Sequence, residues 1–143
     1  MQRTLIALIP GLSSITASAP DIVNPIVTLP ISEVHWNETS ESVAFAALEM
    51  QHFTRQYMAI VRLSGSIKSP VHIKSATMFG TMIAGEMVYY PKELAAYDRK
   101  IISTGGFYKI PANIAHVSEC VSAEECIRVL YQDGPFDFVP VVN

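Results

Sequence analysis

The sequence predicts an all-β domain in the form of a sandwich or barrel. Short apolar stretches rich in β-branched and aromatic residues recur along the chain, and glycine and proline punctuate them. Only residues 91–100 have helical character, with proline first, Glu93 early, and Arg99 and Lys100 late. The chain has 143 residues, and 50% of them are hydrophobic, which suffices for one domain with a sizeable core.

The elements follow from local composition. Residues 20–30 are extended, because three prolines and several β-branched residues exclude a helix there. Strands are predicted at 57–63, 71–74, 78–84, 87–90 and 107–110.

The N-terminal 19 residues are typical of a secretory signal peptide. Arg3 precedes an apolar stretch, and the small residues Ala17-Ser18-Ala19 follow it. The alternative is a strand or arm at residues 4–10 that belongs to the domain. The apolar stretch is too short to span a bilayer, so no membrane partner is expected. We therefore predict a signal peptide at 1–19, an extended arm at 20–32 and one domain at 33–143. With a signal peptide the protein would be secreted or periplasmic, and without one it would be cytoplasmic.

The two cysteines lie six positions apart, which predicts a disulfide. The sequence around Cys120 and Cys126 reads as two strands joined by a tight turn. A three-residue loop at 122–124 would make the two cysteines face each other across a hairpin, within reach of a disulfide. Such a bond suits an exported protein. The alternative is two buried free thiols, and no further cysteines suggest a zinc site.

The charges of the chain argue against nucleic acid as a partner. The net charge is −3, and the ten Lys and Arg residues are scattered without a run. They form no basic stripe of the kind that binds a phosphate backbone. Their scatter indicates an ordinary solvated surface.

Two segments contain residues with a recurring spacing. Residues 64–85 read SGSIKSPVHIKSATMFGTMIAG, and residues 105–116 read GGFYKIPANIAH. The spaced positions of the first segment are Gly65, His72, Lys74, Met78 and Gly85. Those of the second are Gly106, Pro111 and His116.

These segments resemble the two motifs of the cupin family, and of its small single-domain members in particular. In that family the first motif has a His-x-His pair, a glutamate and a closing glycine, and the second ends in a histidine. Here Lys74 stands in place of the second histidine, and Met78 stands in place of the glutamate. The resemblance covers about residues 33–140. It implies a double-stranded β-helix, or jelly-roll barrel, and a homodimer as one assembly. It also implies a short strand after Gly134-Pro135-Phe136 and a strand at 42–48, a stretch that could be a helix by propensity alone.

The changed positions bear on metal binding. Alternation along a strand places residues 72 and 74 on one inward face. A protonated Lys74 amine offers only donors and repels a dication, while the Met78 thioether is a soft and weak ligand. No metal cofactor is therefore expected. If copper, zinc or iron did bind, His72, Met78 and His116 would hold it.

Three functions remain open at this stage. The first is binding of a small organic ligand, with an anion favoured by Lys74. The second is metal-independent isomerase or lyase chemistry by Lys74 with His72 and His116. The third is copper binding by histidine and methionine. The predicted ligand-binding residues are His72, Lys74, Met78, Met82 and His116, with Tyr89 or Tyr90 as a further wall.

Overall fold

Ten antiparallel strands make up the structure, which is a computed structural model describing residues 26–49, 53–94 and 99–142. They are β1 (Asn37–Glu38), β2 (Val43–Glu49), β3 (Tyr57–Leu63), β4 (His72–Ile73), β5 (Met78–Ala84), β6 (Met87–Pro91), β7 (Phe107–Ile110), β8 (His116–Cys120), β9 (Cys126–Gln132) and β10 (Val139–Pro140).

The all-β prediction is confirmed, and each predicted strand has a counterpart. The stretch with helical character supplies one 3₁₀ turn at Lys92–Leu94, and residues 95–98 lie outside the described residues. A second 3₁₀ turn lies at Ile31–Glu33. The predicted signal peptide at 1–19 lies outside the described residues, and so does the arm up to residue 25. Over the part of the chain that is described, no helix has both the length and the apolar character to cross a membrane.

The strands form two sheets that face each other. The larger sheet has the order β1-β2-β3-β9-β5-β7, and the smaller has the order β10-β4-β8-β6. Alternate residues of β9 are buried, as expected for a strand with one face toward a core. The main core cluster lies between the sheets and includes Tyr57, Val61, Met78, Met87 and Leu130.

The smaller sheet brings the two motifs together. Strand β4 pairs with β8, and His72 lies opposite His116 in that pair. Strand β10 pairs with the other edge of β4, so the C-terminal segment passes directly beside His72. The register therefore places one end of the barrel interior within reach of both motifs and the C-terminus.

The disulfide is confirmed, but the predicted hairpin around it is wrong. Cys120 and Cys126 are bonded, with a Cα–Cα distance of 5.9 Å, and both are fully buried. However, β8 and β9 lie in different sheets and do not pair. Residues 121–125 form an arch from one sheet to the other, so the bond links the two layers. An arch of this length brings the two cysteines within bonding distance just as a hairpin does. The cysteine spacing therefore could not distinguish the two, and the sequence suggested a hairpin.

Both glycines of the first motif pack against this arch. A Cβ atom at Gly65 would lie 1.9 Å from the carbonyl oxygen of Ala123. A Cβ at Gly85 would lie 2.7 Å from the carbonyl oxygen of Glu125, and Gly85 also has a φ of +75°. The motif glycines are thus explained by close backbone packing at one end of the barrel.

Candidate functional site

A cavity of about 90 Å³ lies between the two sheets. Its wall combines aliphatic and aromatic side chains with a few polar and charged ones. The polar and charged members are Ser69, His72, Lys74, Ser118 and Arg128. The apolar members are Val43, Phe45, Tyr57, Leu63, Met78, Leu130, Phe136 and Phe138.

Three of the five predicted ligand-binding residues line this cavity. They are His72, Lys74 and Met78, all buried. Met82 and His116 are also buried, with 2% of each side chain exposed, but they are not among the lining residues. His116 adjoins the cavity through its contact with His72, whereas Met82 belongs to the main core cluster.

The two histidines form a close pair. Their ring centroids are 4.2 Å apart at an interplanar angle of 53°. The Nδ1 atom of His72 lies 2.9 Å from the Pro70 carbonyl oxygen, and Nδ1 of His116 lies 2.8 Å from that of Ile114. A carbonyl oxygen only accepts, so each Nδ1 carries the proton. Each Nε2 atom then has a free lone pair.

Both histidines are neutral at pH 7. Burial is the main cause that lowers the pKa of His72 to about 4, with further lowering by His116, Lys74 and Arg128. Burial likewise lowers the pKa of His116. The Nε2 atom of His116 is buried and has no hydrogen-bond partner among the described residues. The pair therefore presents acceptors, not charges.

Lys74 reaches the cavity between two aromatic rings of the C-terminal segment. Its Nζ atom lies 4.6 Å from the Phe136 ring centroid and 5.9 Å from that of Phe138. The same atom donates a hydrogen bond to the carbonyl oxygen of Asp137 at 2.6 Å. Burial, followed by repulsion from Arg128, lowers the pKa of Lys74 to about 8. The amine is thus still mostly protonated at pH 7.

Arg128 is the cavity residue that sequence reasoning missed. The scatter of Lys and Arg residues along the chain suggested that they lie on a solvated surface, but only 7% of Arg128 is exposed. Its guanidinium donates to the Tyr89 hydroxyl and lies 5.7 Å from the Tyr108 ring. Among the described residues no carboxylate forms an ion pair with it, and its Nε atom has no hydrogen-bond partner.

A signal in the sequence pointed to Arg128. Strand β9 buries Cys126, Leu130 and Gln132 together with Arg128, which are alternate residues on one face. Alternation counted from the disulfide cysteine would have placed Arg128 inside.

Of the two tyrosines predicted as a further wall of the ligand site, Tyr89 stacks on Tyr108 with ring centroids 4.4 Å apart, whereas Tyr90 packs in a separate cluster.

A larger cleft of about 770 Å³ adjoins the inner cavity. The two share a wall, which consists of Val43, Phe45, Leu63, Ser69, Phe136 and Phe138. The C-terminal segment forms one side of this boundary, because Phe138 stacks on His72 with centroids 4.2 Å apart. The cleft adds Ile67, Lys68 and Pro140. The outer cleft therefore lies beside the cavity that Arg128 and Lys74 line.

The donor set does not fit the divalent metals that a cupin fold suggests. Two neutral imidazoles and a thioether are available, but Lys74 and Arg128 line the same cavity and repel a cation. Across the described ranges, no group of three or more His, Cys, Asp or Glu side chains is placed to hold a metal ion. These donors would suit a soft monovalent copper ion better than iron, manganese or zinc.

Comparison with known proteins identifies the fold. No protein-family model and no curated protein matches the sequence. Among solved structures, the polyketide cyclase RemF from Streptomyces resistomycificus matches with a TM-score of 0.66 and 12% identity, over 83% of this chain and 87% of that one. An RmlC-like cupin from Shewanella frigidimarina matches with a TM-score of 0.61 and 12% identity, over 76% and 89%.

Oxalate oxidase gives a further match, with a TM-score of 0.60 and 19% identity. This match covers 80% of the present chain but only 63% of the oxalate oxidase chain, less than two thirds of its length. Identities this low show a shared fold and leave function open. The paired sheets, the pairing of the two motif segments through His72 and His116, and these structural matches agree, and the chain is a cupin-fold protein.

Proposed function

We propose that this protein binds a small organic anion inside its barrel. The observation that carries the proposal is Arg128, a buried guanidinium on the cavity wall with no carboxylate partner among the described residues. Lys74 adds a second buried cation to the same wall. The cavity therefore has a positive charge that an anionic ligand would neutralise.

The energetics favour a ligand over a purely structural role for these charges. An unpaired buried charge costs several kcal/mol of desolvation, as an order of magnitude. The hydrogen bond from Arg128 to Tyr89 and its contact with Tyr108 offset some of that cost. A carboxylate would accept strong charge-assisted hydrogen bonds from a guanidinium and an ammonium.

The size and polarity of the cavity define the charged end of the ligand. The volume of about 90 Å³ is smaller than the ~150 Å³ cavity that accommodates benzene in another protein. A carboxylate with few further atoms fits this space. The neutral His72 ring and the Ser118 side chain line the same cavity and would hydrogen-bond a hydroxyl of the ligand.

Binding of propanoate, compared with neutral propanamide, tests the proposal. We expect propanoate to bind in the millimolar range or tighter by NMR titration, and propanamide not to bind detectably. Arg128→Met and Lys74→Met should each weaken propanoate binding at least tenfold. Arg62→Met is the matched control, because Arg62 pairs with Glu38 and Glu125 away from the cavity. Equal binding of propanoate and propanamide would contradict the proposal.

Metal-independent catalysis is the second candidate function. It is favoured by Lys74, whose pKa is about 8, beside two histidines with free Nε2 lone pairs. An amine and an imidazole of this kind suit proton transfer near neutral pH. With a substrate in hand, His116→Ala separates the candidates. Loss of turnover with affinity retained supports catalysis, and parallel loss of affinity supports binding.

We also propose that the protein is exported. The Cys120–Cys126 disulfide supports this, because such bonds persist mainly in oxidising compartments. Fractionation of the source cells, followed by N-terminal sequencing of the mature protein, tests the proposal. Recovery of the chain from the cytoplasm with residue 1 or 2 at its N-terminus would contradict it.

A further inference from the structure

We propose that the ligand is a monocarboxylate with an apolar body, which fills the outer cleft while the carboxylate enters the inner cavity. The inference rests on the proposed anion-binding function and extends it to the class of ligand. It is carried by the shared wall of the two spaces, since the same residues line the cationic cavity and an adjoining cleft of different chemistry.

The outer cleft is mainly apolar along its length. Its aliphatic and aromatic side chains come from β2, β3, the loop before β4 and the C-terminal segment. They are Val43, Phe45, Leu63, Ile67, Phe136 and Phe138, with the prolines Pro70 and Pro140. The volume of about 770 Å³ lies within the range of sites that bind drug-sized molecules. An apolar cleft of this size suits an alkyl chain or a ring better than a polar sugar or a second carboxylate.

The charges near the cleft are consistent with a ligand that has one charged end. Glu41 and Lys68 line the cleft, are exposed and have opposite signs. The Nζ atom of Lys68 also lies 5.7 Å from the centroid of the Tyr90 ring, and Tyr90 lines neither the inner cavity nor the outer cleft. The inner cavity has two buried cations, Lys74 and Arg128, and one carboxylate near Lys74, that of Asp137, so the net positive charge lies there. This polarity orients the ligand with its carboxylate inward.

The proposed occupant also explains two half-exposed aromatic rings. Phe136 and Phe138 are 39% and 41% exposed, although both line the two spaces. A ligand extending from the inner cavity into the outer cleft would contact both rings. Burial of this apolar surface would add affinity in proportion to the length of the ligand.

A chain-length series tests the inference on the intact protein. We expect affinity to rise from acetate through butanoate to hexanoate and octanoate, by up to about fourfold for each methylene buried. Ile67→Thr should weaken hexanoate binding about fivefold and leave acetate binding unchanged, since Ile67 lines only the outer cleft. Ile83→Thr is the matched control, because Ile83 is 44% exposed and lines neither space.

The possible results separate this inference from the function on which it rests. Equal affinity for acetate and octanoate would overturn the apolar-body inference and leave anion binding intact. Equal affinity for hexanoate and hexanamide would overturn anion binding itself. Absence of binding by every carboxylate would overturn both. The wild-type series decides the matter even if Ile67→Thr fails to fold.

Discussion

His72 and His116 lie directly opposite each other on β4 and β8, and each ring donates its Nδ1 hydrogen to the carbonyl two residues before it. The shared arrangement holds both rings in the same tautomer without any carboxylate. With Lys74 and Arg128 nearby, the pair stays neutral because burial and the two cations oppose protonation. The cavity thus combines two neutral acceptors with two fixed cations.

The first prediction concerns acid unfolding. The pKa of His72 is about 4 in the folded chain and about 6.5 when unfolded. Between these values the unfolded chain binds the proton first, so stability falls as the pH drops from 6.5 to 4. The full effect is roughly 3 kcal/mol. His72→Phe should flatten the slope of unfolding free energy against pH in this window, measured by urea unfolding.

The control for that prediction is His35→Phe. His35 is exposed and lies outside both motifs, so its substitution should leave the slope unchanged. His116→Phe should flatten the slope in the same direction as His72→Phe, because burial also lowers the pKa of His116. If all three variants had the same slope as the wild type, neither buried histidine would resist protonation.

The second prediction concerns the pH dependence of ligand binding. Lys74 has a pKa of about 8, lowered chiefly by burial, and a bound anion favours its protonated form. Propanoate affinity should therefore fall as the pH rises above about 8. In Lys74→Met the affinity should be weaker and constant between pH 7 and 10. A decline of equal size in the variant would assign the titration to another group.

The third prediction concerns the stability of the ligand-free protein. Arg128→Met removes a desolvated guanidinium and fills its space with an apolar chain of similar length. We expect the unfolding free energy to stay equal or to rise, although propanoate binding is weakened. Leu130→Ala, on the same strand face, should cost about 2–5 kcal/mol as a core truncation. A loss above about 3 kcal/mol in Arg128→Met would instead indicate a structural role for Arg128.

The fourth prediction concerns metal content. Protein purified without chelators should hold much less than one iron, manganese, zinc or nickel per chain by elemental analysis, because two cations face the histidines. One equivalent of such a metal, lost in His72→Ala, would overturn this. Titration with Cu(I) tests the remaining metal hypothesis. A tight site lost in both His72→Ala and Met78→Ala would establish copper binding.

The fifth prediction concerns the disulfide between the sheets. Mass spectrometry of the native protein should detect no free thiol. Free thiols should appear only after a reductant is added under denaturing conditions. The Cys120→Ala/Cys126→Ala double variant should lose about 2 kcal/mol, because the bond closes a loop with a sequence separation of only 6. Two free thiols in the native exported protein would contradict the assignment.

The sequence predicted much of this structure because its strong signals are local. Most strand positions follow from composition and from glycine and proline, and the inward faces of β4 and β5 follow from alternation. His72, Lys74 and Met78 were placed inside on that basis and do line the cavity. Arg128 was missed because a charged residue without a recognised partner is normally read as exposed.

The wrong hairpin has a related cause. Cysteine spacing limits the separation of two Cα atoms, but it does not reveal whether the chain between them turns within a sheet or crosses to another. That choice depends on the partners of each strand, which are distant in sequence. Strand β8 pairs with β4 and β6, while β9 pairs with β3 and β5.

The sequence alone determined the all-β class, the cysteine pair and the inward residues of both motifs, because these depend on neighbours along the chain. Only the tertiary structure decided that Arg128 and Lys74 share one cavity and that Phe136 and Phe138 line both this cavity and the apolar cleft beside it. These relations join strands and a terminal segment far apart in sequence. They arise from sheet packing, in which no local pattern specifies which side chains meet.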